Sequence, residues 1–181
     1  HQVPQHFEHI PVMFWVFQVL HHYQQLLHRK GSRYRDRLKK FETVAQSLQQ
    51  AVGKIDIVFG HNDLLAANFI DDGEKIWLID FDYAGFNSPL FDLANLASNN
   101  DLSADQEVTM LESYFGRASD RRQWHSYYAM KCASLLRETL WSMVSETSSN
   151  LDVDFGAYTQ KNLERFDLMY DNFCSDYPYK S

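Results

Sequence analysis

A chain of 181 residues, 45% hydrophobic and 15% aromatic, can bury one full core; that apolar content excludes a disordered chain and the length suggests one domain. A formal charge of -7 argues against nucleic acid as a partner, because phosphate backbones are held by clustered Lys and Arg. Two cysteines, Cys132 and Cys174, exclude a disulfide framework and predict a reducing, cytoplasmic setting.

Residues Phe14 to Gln50 carry a helical period, with apolar residues at Phe17, Leu20, Leu27, Leu38, Phe41, Val44 and Leu48. Gly31-Ser32 breaks it into two helices. The apolar stretch Val12 to Leu20 contains a Gln and is too short for a membrane span, and no signal-peptide pattern is present. A β-rich run, Ile55 to Phe59, ends at the polar cluster Gly60 to Asp63. Two apolar runs follow, Asn68 to Ile70 and Lys75 to Ile79, around the turn sequence Asp71-Asp72-Gly73-Glu74, which predicts a β-hairpin. Helices are then expected over Leu90 to Ser98, Ser103 to Tyr114, Ser119 to Glu146 and Asp154 to Tyr170, with Ser103 and Gln106 at capping-box spacing. The expected fold is α+β and mainly helical, with a small β-hairpin insert carrying the most polar loop.

That loop, His61-Asn62-Asp63-Leu64-Leu65-Ala66-Ala67-Asn68, followed one hairpin later by Ile79-Asp80-Phe81-Asp82, has the H-x-D-x-x-x-x-N spacing of a kinase catalytic loop. Moving a γ-phosphoryl group needs a carboxylate to align the acceptor hydroxyl and oxygen ligands to hold Mg²⁺ against the phosphates. Asp63 suits the first task, while Asn68 and Asp80 supply the hard oxygens that Mg²⁺ prefers. A hairpin leaving at Asn68 and returning at Asp80 brings the two within a few ångströms, on the order of the strand spacing. His61 is expected to brace the loop. Singly each residue reads as a loop or cap residue; the pattern comes from all of them at this spacing.

The segments His61 to Asn68, Ile79-Asp80-Phe81-Asp82-Tyr83-Ala84-Gly85-Phe86-Asn87 and Phe91-Asp92-Leu93-Ala94-Asn95 resemble, in that order, the choline and ethanolamine kinase family within the aminoglycoside-phosphotransferase-like group. The resemblance continues through Leu140-Trp141-Ser142-Met143-Val144, similar to part of that family's choline-binding region, and spans roughly residues 55–170. It implies the C-terminal, catalytic lobe of a protein-kinase-like fold over residues 1–181. It implies ATP and Mg²⁺ as cofactors, Asp63 at the base position, Asn68 and Asp80 at the metal positions, and Ile70 and Ile79 lining the adenine. Asp92 would be a buried structural acid holding the loop. The family's N-terminal ATP-binding lobe, with its strand Lys and its loop over the phosphates, is absent from this chain. The expectation is therefore that a parent protein supplies it, and that the lobe alone binds ATP weakly and turns over very slowly.

A quaternary ammonium cannot donate hydrogen bonds, so it is held by aromatic faces and carboxylates. Glu138 and Trp141, a turn apart, are the leading candidates for a cationic alcohol, with Asp82, Tyr83 and Tyr158 beside them. In the helix around residue 130, Tyr127, Lys131, Ser134, Glu138 and Trp141 share a polar face opposite an apolar one of Ala129, Cys132, Leu136, Leu140 and Met143. Trp141 as a core residue is an equal reading. Many eukaryotic family members carry a second aromatic where this chain has Glu138, which leaves choline, ethanolamine, thiamine, an aminoglycoside or another cationic alcohol open. A non-catalytic cation-binding lobe is the rival class; the retention of Asp63, Asn68 and Asp80 together points to catalysis. The early histidines His1, His6, His9, His21, His22 and His28 lack metal-ligand spacing and are expected on the surface.

Overall fold

The computed structural model describes residues 13–149 and 152–177. Two helices open the described chain, α1 (Val16–Lys30) and α2 (Arg35–Val52), separated by Gly31 in the left-handed conformation that only glycine adopts at no steric cost. Strand β1 (Val58–Gly60) leads into the polar loop and a short 3₁₀ turn over Ala66–Asn68. Strands β2 (Phe69–Asp71) and β3 (Ile76–Leu78) form the expected hairpin, antiparallel with Phe69 opposite Leu78. A further strand, β4 (Gly85–Asn87), pairs antiparallel with β1. The β part is thus two short two-stranded ribbons with the polar loop between them.

Four helices complete the chain: α3 (Pro89–Asn99), α4 (Ala104–Phe115), α5 (Arg121–Ser148) and α6 (Phe155–Asp176). Their starts follow sequence chemistry. The Ser88 hydroxyl accepts from the Leu90 N–H with Pro89 at the first helical position, and Ser103 with Gln106 makes both bonds of a capping box. Helix α6 runs about a turn and a half beyond its expected end because Phe173, on the face already carrying Leu163 and Phe166, is also buried.

Helix α5 packs against α1, α2, α3 and α6, and one change follows from that position. The polar face expected on it is not a solvent face. Tyr127 and Ser134 are as buried as Leu136 and Leu140, since helices surround α5 on most sides. Their polar atoms find internal partners: the Tyr127 hydroxyl donates to Glu107 Oε2 at 2.6 Å, and Ser134 Oγ accepts from Asn95 Nδ2 at 3.3 Å.

Both cysteines are free, and burial pushes the Cys132 thiol up, which makes it inert at neutral pH. Among the described residues, no helix is long and apolar enough to cross a membrane, and no cluster of His, Cys, Asp and Glu has the makings of a metal site by itself. His21, His22 and His28 are exposed on α1, as expected; His1, His6 and His9 lie outside the described residues.

Candidate active site

The loop after β1 is held from below by α3. Asp92, in the first turn of α3 and only 2% exposed, accepts the His61 N–H at 2.8 Å and the Asn62 N–H at 2.7 Å. Burial pushes the Asp92 carboxyl above its ordinary range, against the pull of those two donors. One helical turn on, Asn95 Oδ1 accepts the Leu64 N–H at 2.6 Å, and beyond the helix end Asn100 Nδ2 donates to the Leu64 carbonyl at 2.9 Å. A side chain at Gly60 would place its Cβ 2.9 Å from Asp92 Oδ2, so the close approach of loop and helix requires glycine there.

Asn62 takes the left-handed conformation, φ 65°, which turns its amide inward. Its nitrogen lies within hydrogen-bond distance of the carbonyls of Gly60, Tyr83 and Gly85, and its oxygen accepts from Asn87 Nδ2 at 3.1 Å. The loop is thereby fixed to the segment that follows the hairpin.

Asp63 projects from this scaffold. Its carbonyl accepts the Asn68 Nδ2–H at 2.9 Å, which commits the Asn68 nitrogen and leaves the amide oxygen as the atom that could face a metal ion. The hairpin then closes as expected: the Ile79 N–H donates to the Asn68 carbonyl at 3.0 Å, so Asp80 follows directly after the residue paired with Asn68. Asp80 is exposed and sits at φ 63°, a conformation uncommon for a residue with a Cβ. His61 braces that position, its Nε2–H donating to the Ile79 carbonyl at 2.8 Å and its ring meeting Phe81 edge-on at 4.7 Å. An amide oxygen and a carboxylate at one end of a ribbon fit a Mg²⁺ ion, which takes few protein ligands and completes its shell with phosphates and water.

Beside Asp63 opens a cleft of about 340 Å³. Its lining brings together Asp63, Tyr83, Glu138, Trp141 and Tyr158, five of the expected site residues, with Leu65, Val153 and Phe155 as apolar wall. Trp141 meets Phe155 and Tyr158 edge-on at 6.1 and 6.4 Å. The Tyr158 hydroxyl donates to Glu138 Oε1 at 2.7 Å, and burial together with that carboxylate pushes it up to about 12. Asp82 is different: it is exposed and does not line the cleft. Ile70 and Ile79 are 47% and 42% exposed on the hairpin, on the same face as Trp77, the cross-strand partner of Ile70. Trp77 is itself held by its Nε1–H donating to Asp72 and by Lys75 Nζ 3.5 Å over its ring.

The residue missed from sequence is Arg137. It is 2% exposed, lines the cleft, donates to Asp63 Oδ1 at 3.2 Å and lies 3.6 Å from Glu138. Burial works to lower its guanidinium, and Glu138 and Asp63 outweigh that and hold it above its ordinary value. The signal that could have found it is helical spacing: Arg137 lies one turn before Trp141 and so shares the face of α5 that carries a candidate substrate residue. Tyr23 of α1 lies near the same charges, and burial raises its phenol.

A mainly helical domain with a polar loop beside a small β-ribbon has the fold of the helical C-terminal lobe of choline-kinase-like structures. The chain belongs to the choline/ethanolamine kinase family, whose family model matches residues 2–132. It is 26% identical over 157 residues to the protein LicA of Haemophilus influenzae, covering 84% of this chain and 59% of that one. To rat ethanolamine kinase 2 it is 30% identical over 144 residues, covering 66% of this chain and 37% of that one. Among solved structures, the choline/ethanolamine kinase family protein of Mesorhizobium loti superposes with a TM-score of 0.76 at 27% identity, covering 91% of this chain and 57% of that one. The chain spans about half the length of the curated relatives it matches.

Proposed function

We propose that this chain is the catalytic, alcohol-binding lobe of an enzyme that transfers the γ-phosphoryl group of ATP, with Mg²⁺, to the hydroxyl of choline or a related amino alcohol. The observation that carries this reading is the position of Asp63, which lines the same cleft as Glu138, Trp141 and Tyr158 while its loop continues to Asn68 at the ribbon end. A cationic head group seated against Trp141, Tyr158 and Glu138 leaves its hydroxyl to reach toward Asp63.

Asp63 orients that hydroxyl and accepts its proton as the oxygen attacks. The new O–P bond forms to the γ-phosphorus, the bond from that phosphorus to the bridging oxygen breaks, and ADP leaves with its electron pair. Asn68 and Asp80 would hold Mg²⁺, which neutralises phosphate charge when bound. Ile70 and Ile79 offer an apolar, accessible surface that suits the adenine ring. The N-terminal lobe of a complete kinase would supply the remaining phosphate contacts. ATP as donor and two unpaired cysteines suit a cytoplasmic setting.

One observation favours a primary amine such as ethanolamine over choline. Glu138 presents a carboxylate at the head-group end, and a carboxylate gains a charge-assisted hydrogen bond from an N–H that a quaternary ammonium lacks. Mg²⁺-dependent ADP release by the complete protein, measured with choline, ethanolamine, thiamine and an aminoglycoside, tests both readings. Turnover with choline or ethanolamine supports phosphotransfer and ranks the two head groups. Silence with all four would favour a lobe that binds a cation without transferring phosphate.

A further inference from the structure

The cleft rests on a charge that the chemistry set out above does not use. Arg137 stands in the middle of α5, almost without solvent contact. A buried guanidinium is costly unless it is paired, and here Nη1 alone faces two carboxylates, Asp63 Oδ1 at 3.2 Å and Glu138 Oε2 at 3.6 Å. The guanidinium carbon lies 4.8 Å from the centre of the Tyr83 ring and 5.7 Å from that of Phe14, while Nε is buried with no partner. Buried ion pairs add little stability over a packed apolar side chain; what one buried cation shared by two carboxylates supplies is a fixed arrangement of its partners.

We propose that Arg137 is a positioning residue. Held by both carboxylates, it fixes the one that receives the hydroxyl relative to the one that receives the ammonium, and so sets how many carbons the cleft accepts between them. The inference rests on the phosphotransfer reading above. The two distances laid end to end keep the oxygens of Asp63 and Glu138 within about 6.8 Å of each other. A two-carbon amino alcohol spans about 3.7 Å from oxygen to nitrogen when extended, and each added methylene lengthens it by about 1.3 Å. With a hydrogen bond of roughly 2.8 Å at each end, even the two-carbon alcohol laid straight reaches past that limit and fits only with bent hydrogen bonds, and each added methylene enlarges the excess. Longer ones must fold or displace a carboxylate that Arg137 holds in place.

The test compares the complete protein with Arg137→Met and Arg137→Lys, measuring kcat and KM for ethanolamine, 3-aminopropan-1-ol and 4-aminobutan-1-ol at saturating ATP and Mg²⁺. The wild type should prefer the two-carbon alcohol in kcat/KM by about 10-fold or more per added methylene, the range a single methylene commands in a fitted pocket. Arg137→Met should lower kcat for ethanolamine and collapse the preference to within about 3-fold. Arg137→Lys keeps the charge but puts it on a shorter, flexible stem without the guanidinium plane that lies against Tyr83, and should fall between. A merely structural Arg137 would lower all three alcohols in the same proportion and leave the preference unchanged, and that result overturns the proposal. Where Arg137→Met does not fold, an unchanged preference in Arg137→Lys has the same force. A wild type silent towards every alcohol overturns the phosphotransfer reading, and the positioning role with it; turnover with an unaltered preference in both variants overturns the positioning role alone.

Discussion

The loop and the ribbon that together make up the candidate site are built in opposite ways. From Gly60 to Leu64 the backbone is gripped: Asp92 and Asn95 hold it from α3, Asn100 holds it from just past the helix end, and Asn62 locks it to the strand beyond the hairpin. From Phe69 to Phe81 the chain is open, with Ile70, Ile76, Trp77, Ile79 and Phe81 all between 42% and 68% exposed. A base that must meet a hydroxyl at one angle gains from a rigid support. A flat apolar face left uncovered suits a ligand or a second lobe that arrives from outside.

That contrast can be broken first at the loop. Asp63→Ala in the complete protein should lower kcat by about 10³-fold, within the range for removing a positioned acid-base group, with thermal unfolding little changed. Retention of more than a few per cent of activity would remove Asp63 from its role. Asp92→Ala strikes the support instead of the chemistry. It strands two buried N–H groups at about 1–3 kcal/mol each and should lower the melting temperature by several degrees, with kcat falling as the loop loosens. A melting temperature unchanged within a degree would mean that the other braces suffice.

At the ribbon the expected effects reverse. Ile70→Ser with Ile79→Ser removes apolar contact from a face that is already solvated, so stability should hardly move. The KM for ATP should rise by several-fold while that for the amino alcohol stays put, since apolar burial is worth roughly 25 cal/mol per Å². Equal rises in both KM values would show that the ribbon shapes the alcohol cleft and not a nucleotide surface.

Much of this division can be read from the residues. The helices follow from apolar period and cap chemistry, and the hairpin follows from the turn residues Asp71 to Glu74, although the turn falls one residue later, over 72–75, and this is what sets Asn68 opposite Ile79. Asp63, Asn68 and Asp80 are legible because spacing alone carries their pattern. Strand β4 was illegible: three residues long, it exists because β1 lies alongside it, a partner more than twenty residues back. Helix α5 was half legible, since a stripe containing Tyr127, Ser134 and Glu138 looks solvent-facing until four helices are placed around it. Arg137 was hidden for the same reason. Asn95 is legible only in retrospect, one turn from Asp92 and so on the face that meets the loop.

The smallest expected effect lies in neither region and serves as their control. His125, near the start of α5, stacks on Phe173 at 5.4 Å and packs on Tyr177 at 5.0 Å. Burial holds it below its ordinary value of 6.5, so as the pH falls the unfolded chain takes up this proton before the folded one does. The stability it contributes is present above 6.5 and is lost as the pH falls through that value toward the folded one. The ring is largely solvent-screened, so the shift between pH 7.5 and 5.5 should be below about 2 °C in melting temperature, and His125→Gln should flatten it. Activity at a fixed pH should be indifferent to the substitution, because His125 touches neither the loop nor the ribbon. A loss of activity in His125→Gln comparable to that in Asp92→Ala would mean that the packing of α5 on α6 reaches the cleft through Glu138 and Tyr158, and the rigidity ascribed to the loop would then belong to the whole helical lobe.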